Sequence, residues 1–214
     1  MLPLHIFEQR YRQLVQEGRD FGVVLIREGQ EAGDPDVDPH DIGSIAEIRE
    51  VTPLPFGRFY VSTVGRKRFS IREIVSREPY LLVEADVLDE DDRLDARTAQ
   101  LRDDVRELFL QYIELIVQFS GQESAVDLPG DPQTTSYLVG DALQVSDKIK
   151  QRLLEVNSTK ERLELEREFL QRLLPQLRSL LERRAKELER RGEGAESEER
   201  AHQERYFGKY FSSN

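Results

Sequence analysis

The stretch that most constrains how this chain can fold is Gly57–Val75, GRFYVSTVGRKRFSIREIV. Phe59, Val61 and Thr63 alternate with Tyr60, Ser62 and Val64, a period of two that only an extended strand can turn into two distinct faces. The segment Gly65-Arg66-Lys67 then reads as a turn. Phe69, Ile71 and Val75 follow on one face of a second arm, so the whole stretch predicts a β-hairpin. It carries no acid, base or nucleophile of its own. It builds a sheet, and other segments must supply that sheet's partners.

Those partners lie on both sides. Phe7, Tyr11, Leu14 and Val15 recur at helical spacing after a short extended entry, with Gly18 placed to cap the helix. FGVVLI (21–26) is short, apolar and rich in β-branched residues, and predicts a strand buried on both faces. Residues 27–41 combine Gly, Pro and Asp without periodicity and predict a loop. Its Asp34, Asp36 and Asp38 do not make a calcium loop, because Pro39 stands where such a loop needs glycine and Ile45 where it needs glutamate. IGSIAEIREV (42–51) predicts another strand, and Pro53-Leu54-Pro55 punctuates the way into the hairpin. After Pro79, YLLVEADVL (80–88) puts Leu81, Val83, Ala85 and Val87 on one face. Five strands and one helix in so short a span predict a small, strongly curved sheet or barrel.

Asp89–Asp92 marks a change of both charge and period, and the rest reads as helical. Leu101, Val105, Leu108, Phe109, Tyr112, Ile113, Leu115 and Ile116 predict a helix over Asp95–Phe119. Leu128-Pro129-Gly130 breaks it. Asp131 followed by Pro132 is an N-cap with proline at the first helical position, and the helix it opens should turn Tyr137, Leu138, Val139 and Leu143 inward. Ser146 is placed to cap a helix over Asp147–Val156. Ser158 and Glu161 form a capping box at the head of the longest helix, running to Arg191. Leu163, Leu170 and Leu177 are seven apart, with Leu173, Leu174, Leu180 and Leu181 beside them. This is the pattern of a coiled-coil seam, too short here to prefer a coiled coil over packing on the other helices. Pro175 should kink the helix near Gln171–Pro175. The division expected is therefore 1–92, a β-rich subdomain; 93–191, a helical subdomain; and 192–214, a polar, disordered tail. That tail ends in Tyr206, Phe207, Tyr210 and Phe211, a candidate docking segment.

Composition excludes several classes of function. A net charge of −11 over 214 residues disfavours nonspecific binding to nucleic acid or anionic membranes. There are no cysteines and 3 histidines, so neither a disulfide framework nor a structural zinc site is expected, and no cofactor is implied. No run of about 18 apolar residues is present to span a membrane. The first ten residues lack the charged and apolar regions of a signal peptide, and a cytoplasmic location is expected. No G-x-x-x-x-G-K-[ST] phosphate loop occurs, and none of the 6 lysines stands in a recognisable serine–lysine context.

Five segments together resemble the N-terminal substrate-binding domain of Lon protease, a domain shared with cereblon. They are LPLHIFEQRYRQLV (2–15), FGVVLI (21–26), IGSIAEI (42–48), GRFYVSTVGRKRFSI (57–71) and YLLVEADVL (80–88). The helical half adds Leu153-Leu154-Glu155 and Glu161-Arg162-Leu163, similar to the family's pattern. The resemblance implies an α+β fold, a PUA-like β pseudobarrel followed by a helical subdomain with a long C-terminal helix. It also implies recognition of unfolded or tagged polypeptides in protein quality control; the missing phosphate loop and serine–lysine context make the ATPase and protease activities of the complete protease unexpected in this chain. It further implies one more strand ahead of the Leu2-Pro3-Leu4 match. Either the natural chain begins upstream of Met1, or a bound peptide, a second copy of the chain or the aromatic tail takes that place.

Candidate peptide-binding residues are the aromatics Phe7, Tyr11, Phe56, Phe59 and Tyr60, each of which can equally be core, and the basic residues Arg58, Arg66, Lys67 and Arg68. The basic run supports a second expectation, RNA binding through a PUA-like fold. The −7 charge of residues 1–94 opposes it, because counterion release needs several phosphates met by cations. A third expectation is an adaptor or assembly partner of a separate protease.

Overall fold

The structure is a computed structural model that describes residues 1–29, 37–90, 95–121 and 127–191. The chain divides into two compact units, Met1–Asp89 and Glu90–Asn214. The aromatic tail, Asp34 and Asp36 lie outside the described residues.

The first unit is built from seven strands and one helix among the described residues: β1 (Leu2–Ile6), α1 (Gln9–Gln16), β2 (Phe21–Val23), β3 (Ile26–Glu28), β4 (Asp38–Pro39), β5 (Ile42–Leu54), β6 (Arg58–Ser76) and β7 (Leu82–Leu88). Five of them form an antiparallel sheet in the order β1-β6-β5-β2, with β7 also on β6, and β3 pairs β4 separately. β6 is the spine. Its first half pairs β1, its second half pairs β7, and β5 runs along its other edge.

The expected hairpin within Gly57–Val75 is not present. Residues 58–76 form one strand of 19 residues. Gly65 does not take the positive φ that a tight hairpin turn requires. A bulge absorbs the Gly65–Arg68 region instead: between Ala46↔Gly65 and Ser44↔Arg68, β6 carries one residue more than β5. The turn lies one step earlier, at Pro55–Gly57, where Phe56 and Gly57 both have positive φ, 65° and 70°. That is the backbone that matches the twist of the flanking strands.

Bulges also explain which side chains point inward. Phe59, Val61 and Thr63 share a face as expected, and Val61 and Thr63 are fully buried. Beyond the bulge, Arg68 and Phe69 are both buried, and further register shifts against β7 leave Val75 exposed rather than on the face of Phe69 and Ile71. FGVVLI is likewise not one strand buried on both sides: Phe21–Val23 joins the main sheet with Val23 exposed, and Ile26 opens β3 in the other sheet. Of the β7 alternation, Val83 and Ala85 are half-buried and Val87 is exposed. The core of this unit gathers Val15, Ala46, Val61 and Phe69. The Phe69 ring lies over Gly22 and Gly43, where a Cβ would come within 2.7 and 2.8 Å of it, so only glycine admits the ring.

The second unit contains α2 (Ala96–Ser120), α3 (Pro132–Ala142), α4 (Asp147–Glu155) and α5 (Thr159–Arg191). Asp95 and Asp131 cap α2 and α3, accepting from the backbone N–H of Thr98 and Thr134 at 2.8 Å each. Gly121 closes α2 in the left-handed region at φ 68°. Ser146 precedes α4 as expected, yet its buried hydroxyl makes no cap bond. The α5 helix spans 33 residues and stays helical through Pro175. A proline there removes one backbone hydrogen bond, but Leu170, Leu174 and Leu177 are buried on both sides of it. These leucines join Leu163, Val105, Phe109, Tyr112, Val139 and Leu143 in one apolar core. Leu173, placed on the same seam by its spacing, is only half-buried, and Leu138 is exposed because three consecutive helical residues cannot share one face.

A buried polar knot crosses this core. The Arg162 guanidinium donates to Glu90 Oε1 and Oε2 at 2.9 Å each, to Ser136 Oγ at 2.6 Å, to Val156 O at 3.2 Å and to Thr159 Oγ1 at 3.3 Å. All five of its N–H donors are therefore filled. The Tyr137 ring lies 3.9 Å beneath it, and the Tyr137 hydroxyl donates to Glu90. Burial opposes ionisation of Glu90, but the hydrogen bonds from Arg162, Tyr137 and Thr159 outweigh it and hold the carboxyl down at about 2. Glu166 is fully buried on the far side of Ser136, whose hydroxyl donates to Oε1 at 3.0 Å, while Oε2 has no partner. Burial raises the Glu166 carboxyl well above its ordinary value, against the opposing pull of Ser136 and Arg162.

Candidate polypeptide-binding surface

The β5–β6 turn is the most exposed aromatic feature of the first unit. Pro55 fixes the backbone entering the turn, and the short connection then demands two consecutive left-handed residues. Gly57 takes one of them freely. Phe56 takes the other, at a cost of roughly 1–2 kcal/mol for an L-residue in this region. Its ring is 90% exposed, so no burial offsets that cost. Strain of this kind, on a side chain presented to solvent, points to a role in contacting something else.

Two guanidiniums flank the turn. Arg58 Nε donates to Pro55 O at 3.0 Å, and its guanidinium lies 5.8 Å from the Phe56 ring centroid. Arg12 comes from α1 and lies against Gly57, where any Cβ would come within 2.2 Å of Nη2. Glu8, one helical turn before Arg12, is engaged by Arg10 at 2.9 Å. Arg12 Nε is buried and has no hydrogen-bond partner among the described residues.

Strand register places further residues beside the turn. His5, Tyr60 and Thr52 are cross-strand partners on β1, β6 and β5, so they share one face of the sheet. Arg58 and Leu54 are the next pair on that face. Tyr60 is 46% exposed, and Phe7, just past the end of β1, is exposed with its ring 5.9 Å from that of His5. The far edge of β1 pairs with no strand among the described residues.

The structure thus brings Phe7, Phe56, Arg58 and Tyr60 to one end of the sheet. It separates the other candidates from them. Phe59 faces the opposite, inner side and is half-buried beside Ile6. Tyr11 is half-buried on α1 under the Arg10 guanidinium at 4.6 Å. Phe7 precedes α1 instead of belonging to its apolar face. The basic run makes no patch: Arg66 pairs with Glu47, Lys67 with Asp89 at 3.0 Å, and Arg68 is buried. Arg12, which lies beside the turn, is not among the residues that the sequence singled out. In the second unit, a depression of about 490 Å³ at the head of α5 is lined by residues that include Val156, Glu164, Leu165 and Glu168, and carries no aromatic side chain. No helix among the described residues is long and apolar enough to cross a membrane.

Comparison with known proteins agrees with this architecture. The family model for the substrate-binding domain of ATP-dependent protease La (LON) matches residues 1–172. Lon protease of Flavobacterium johnsoniae is 31% identical over 168 residues, covering 69% of this chain and 20% of that protein. Lon protease of Porphyromonas gingivalis is 27% identical over 175 residues, covering 75% of this chain and 20% of that protein. The chain therefore spans about a fifth of the length of these curated relatives. Among solved structures, a Lon N-terminal domain protein from Xanthomonas campestris superposes with a TM-score of 0.55 at 22% identity, over 77% of this chain and 86% of that one. The N-terminal domain of Mycobacterium avium complex Lon protease gives 0.54 at 17% identity, over 79% and 90%. The α+β fold is that of Lon N-terminal domains, and the chain belongs to the Lon substrate-binding domain family.

Proposed function

We propose that the first unit is a polypeptide-recognition surface that binds extended, unfolded segments without chemistry of its own, in the service of protein quality control. The observation that carries this reading is the Phe56 ring, held in a strained backbone and left 90% exposed at the β5–β6 turn. Membership of a substrate-binding family supports the same class of ligand. The outer edge of β1, which pairs with no strand among the described residues, offers backbone hydrogen bonds to an extended chain, and the exposed aromatics offer contacts for its side chains.

The test is fluorescence anisotropy of the full chain with a labelled protein kept unfolded by reduction and carboxyamidomethylation. Saturable binding that changes little between 50 and 200 mM salt is expected for this mode. A steep fall over that range would indicate a charge-dominated ligand such as RNA. Absence of binding to the unfolded protein, with binding to its native form, would overturn the reading.

A further inference from the structure

We infer that the β5–β6 turn selects acidic segments, with the Arg12 guanidinium receiving the carboxylate of an Asp or Glu side chain while Phe56 contacts a neighbouring apolar or aromatic residue. This rests on the reading of the first unit as a polypeptide-binding surface and names the segment it takes.

Charge complementarity carries the inference. Several cations elsewhere in this unit are paired with acids within the chain, although Arg77 meets only the Val37 carbonyl and Arg19 has no ion pair among the described residues. Arg10 pairs with Glu8, Arg27 with Asp38 and Asp41, Arg49 and Arg66 with Glu47, Lys67 with Asp89 and Arg72 with Asp86. Arg12 and Arg58, at the turn, have no acidic partner among the described residues. Arg12 is half-buried, its Nε is unpartnered, and its guanidinium lies against the glycine backbone at the foot of the exposed ring. A half-buried guanidinium loses hydration and gains nothing in return unless an acceptor arrives, and a planar carboxylate is the acceptor its fork fits best. Arg58 adds a second positive charge beside the Phe56 ring. In a chain of net charge −11, two guanidiniums at an aromatic turn, with no ion pair among the described residues, form a cationic site that an anionic ligand satisfies.

The geometry also chooses between the two carboxylates a polypeptide offers. The site lies beside the outer edge of β1, which pairs with no strand among the described residues and along which a chain can continue past the turn. A side-chain carboxylate within a running segment suits that arrangement, whereas a terminal carboxylate would leave most of the edge unused.

The experiment uses the full chain and fluorescein-labelled, C-amidated 12-residue peptides that contain either Phe-Glu or Phe-Gln at the centre, read by anisotropy. The expected result is tighter binding of the Glu peptide by about 10-fold, lost in Arg12→Met and partly kept in Arg12→Lys. The Glu-to-Gln change lies on the peptide, so it reads the interaction even if the Arg12 variants fold poorly. Equal binding of the two peptides would overturn the inference, as would a Phe-Gln peptide that binds only when its C-terminal carboxylate is left free. If the unfolded protein binds the wild type and Arg12→Met equally, the acidic selection fails and the broader reading stands. If the unfolded protein does not bind at all, the broader reading fails.

Discussion

Replacing Phe56 with glycine separates what this residue does for the fold from what it does at the surface. Relief of the left-handed backbone at φ 65° is worth roughly 1–2 kcal/mol. Glycine's extra freedom in the unfolded chain takes back about 0.4–1 kcal/mol. The ring is 90% exposed, so the burial lost with it is under about 0.5 kcal/mol. Its contact with Arg58 at 5.8 Å adds about 0.5 kcal/mol at an exposed site. These terms nearly cancel, and Phe56→Gly should change stability by less than about 1 kcal/mol, against about 3–5 kcal/mol for truncating a core phenylalanine. Binding of an unfolded polypeptide should suffer far more, since an aromatic anchor carries about 2 kcal/mol or more, roughly 30-fold in affinity. Urea unfolding followed by circular dichroism gives the first quantity and anisotropy the second. A stability loss above about 2 kcal/mol would show that the ring packs against the unit. Unchanged affinity in a normally folded variant would remove it from the binding surface.

The helical unit gives three further tests. Glu90→Ala strands the Arg162 guanidinium in the core and should cost about 3–5 kcal/mol in a urea melt. Because the folded Glu90 carboxyl sits at about 2, below its ordinary 4.5, its contribution is present above about pH 4.5 and is lost as pH falls towards 2. Glu166 has the opposite sign: its raised folded value means that stability is fully present below about pH 4.5 and declines as pH rises through that value. Glu166→Gln should therefore gain on the wild type as pH increases, and urea midpoints that fall in parallel for both proteins would refute this. Leu170→Ala should cost about 2–5 kcal/mol, and Leu173→Ala clearly less, because only the first is fully buried. Equal losses would mean that the leucine spacing, and not the observed burial, describes the seam.

Local pattern in the sequence located the helices, though not every end, since Ser146 makes no cap bond. Asp131 acts on the backbone within a few residues of itself, so its capping role needs no tertiary context. The alternation of Phe59, Val61 and Thr63 was legible for the same reason, as was the order of segments that carries the resemblance to the Lon family. Where β6 turns was decided elsewhere. A glycine with basic neighbours marks a bulge as readily as a turn. The choice at Gly65 was made by pairing with β5 on one edge and with β1 and β7 on the other, partners that lie up to 61 residues away in the chain. Burial of Glu90 against Arg162 is likewise invisible in DEDD, because ion pairing depends on distance in space and those two residues are 72 apart in sequence. The unanswered guanidinium of Arg12 beside Phe56 is the furthest from the sequence of all. The folded chain gives Glu8 to Arg10 and sets Gly57 against the guanidinium, which leaves Arg12 Nε without a hydrogen-bond partner among the described residues.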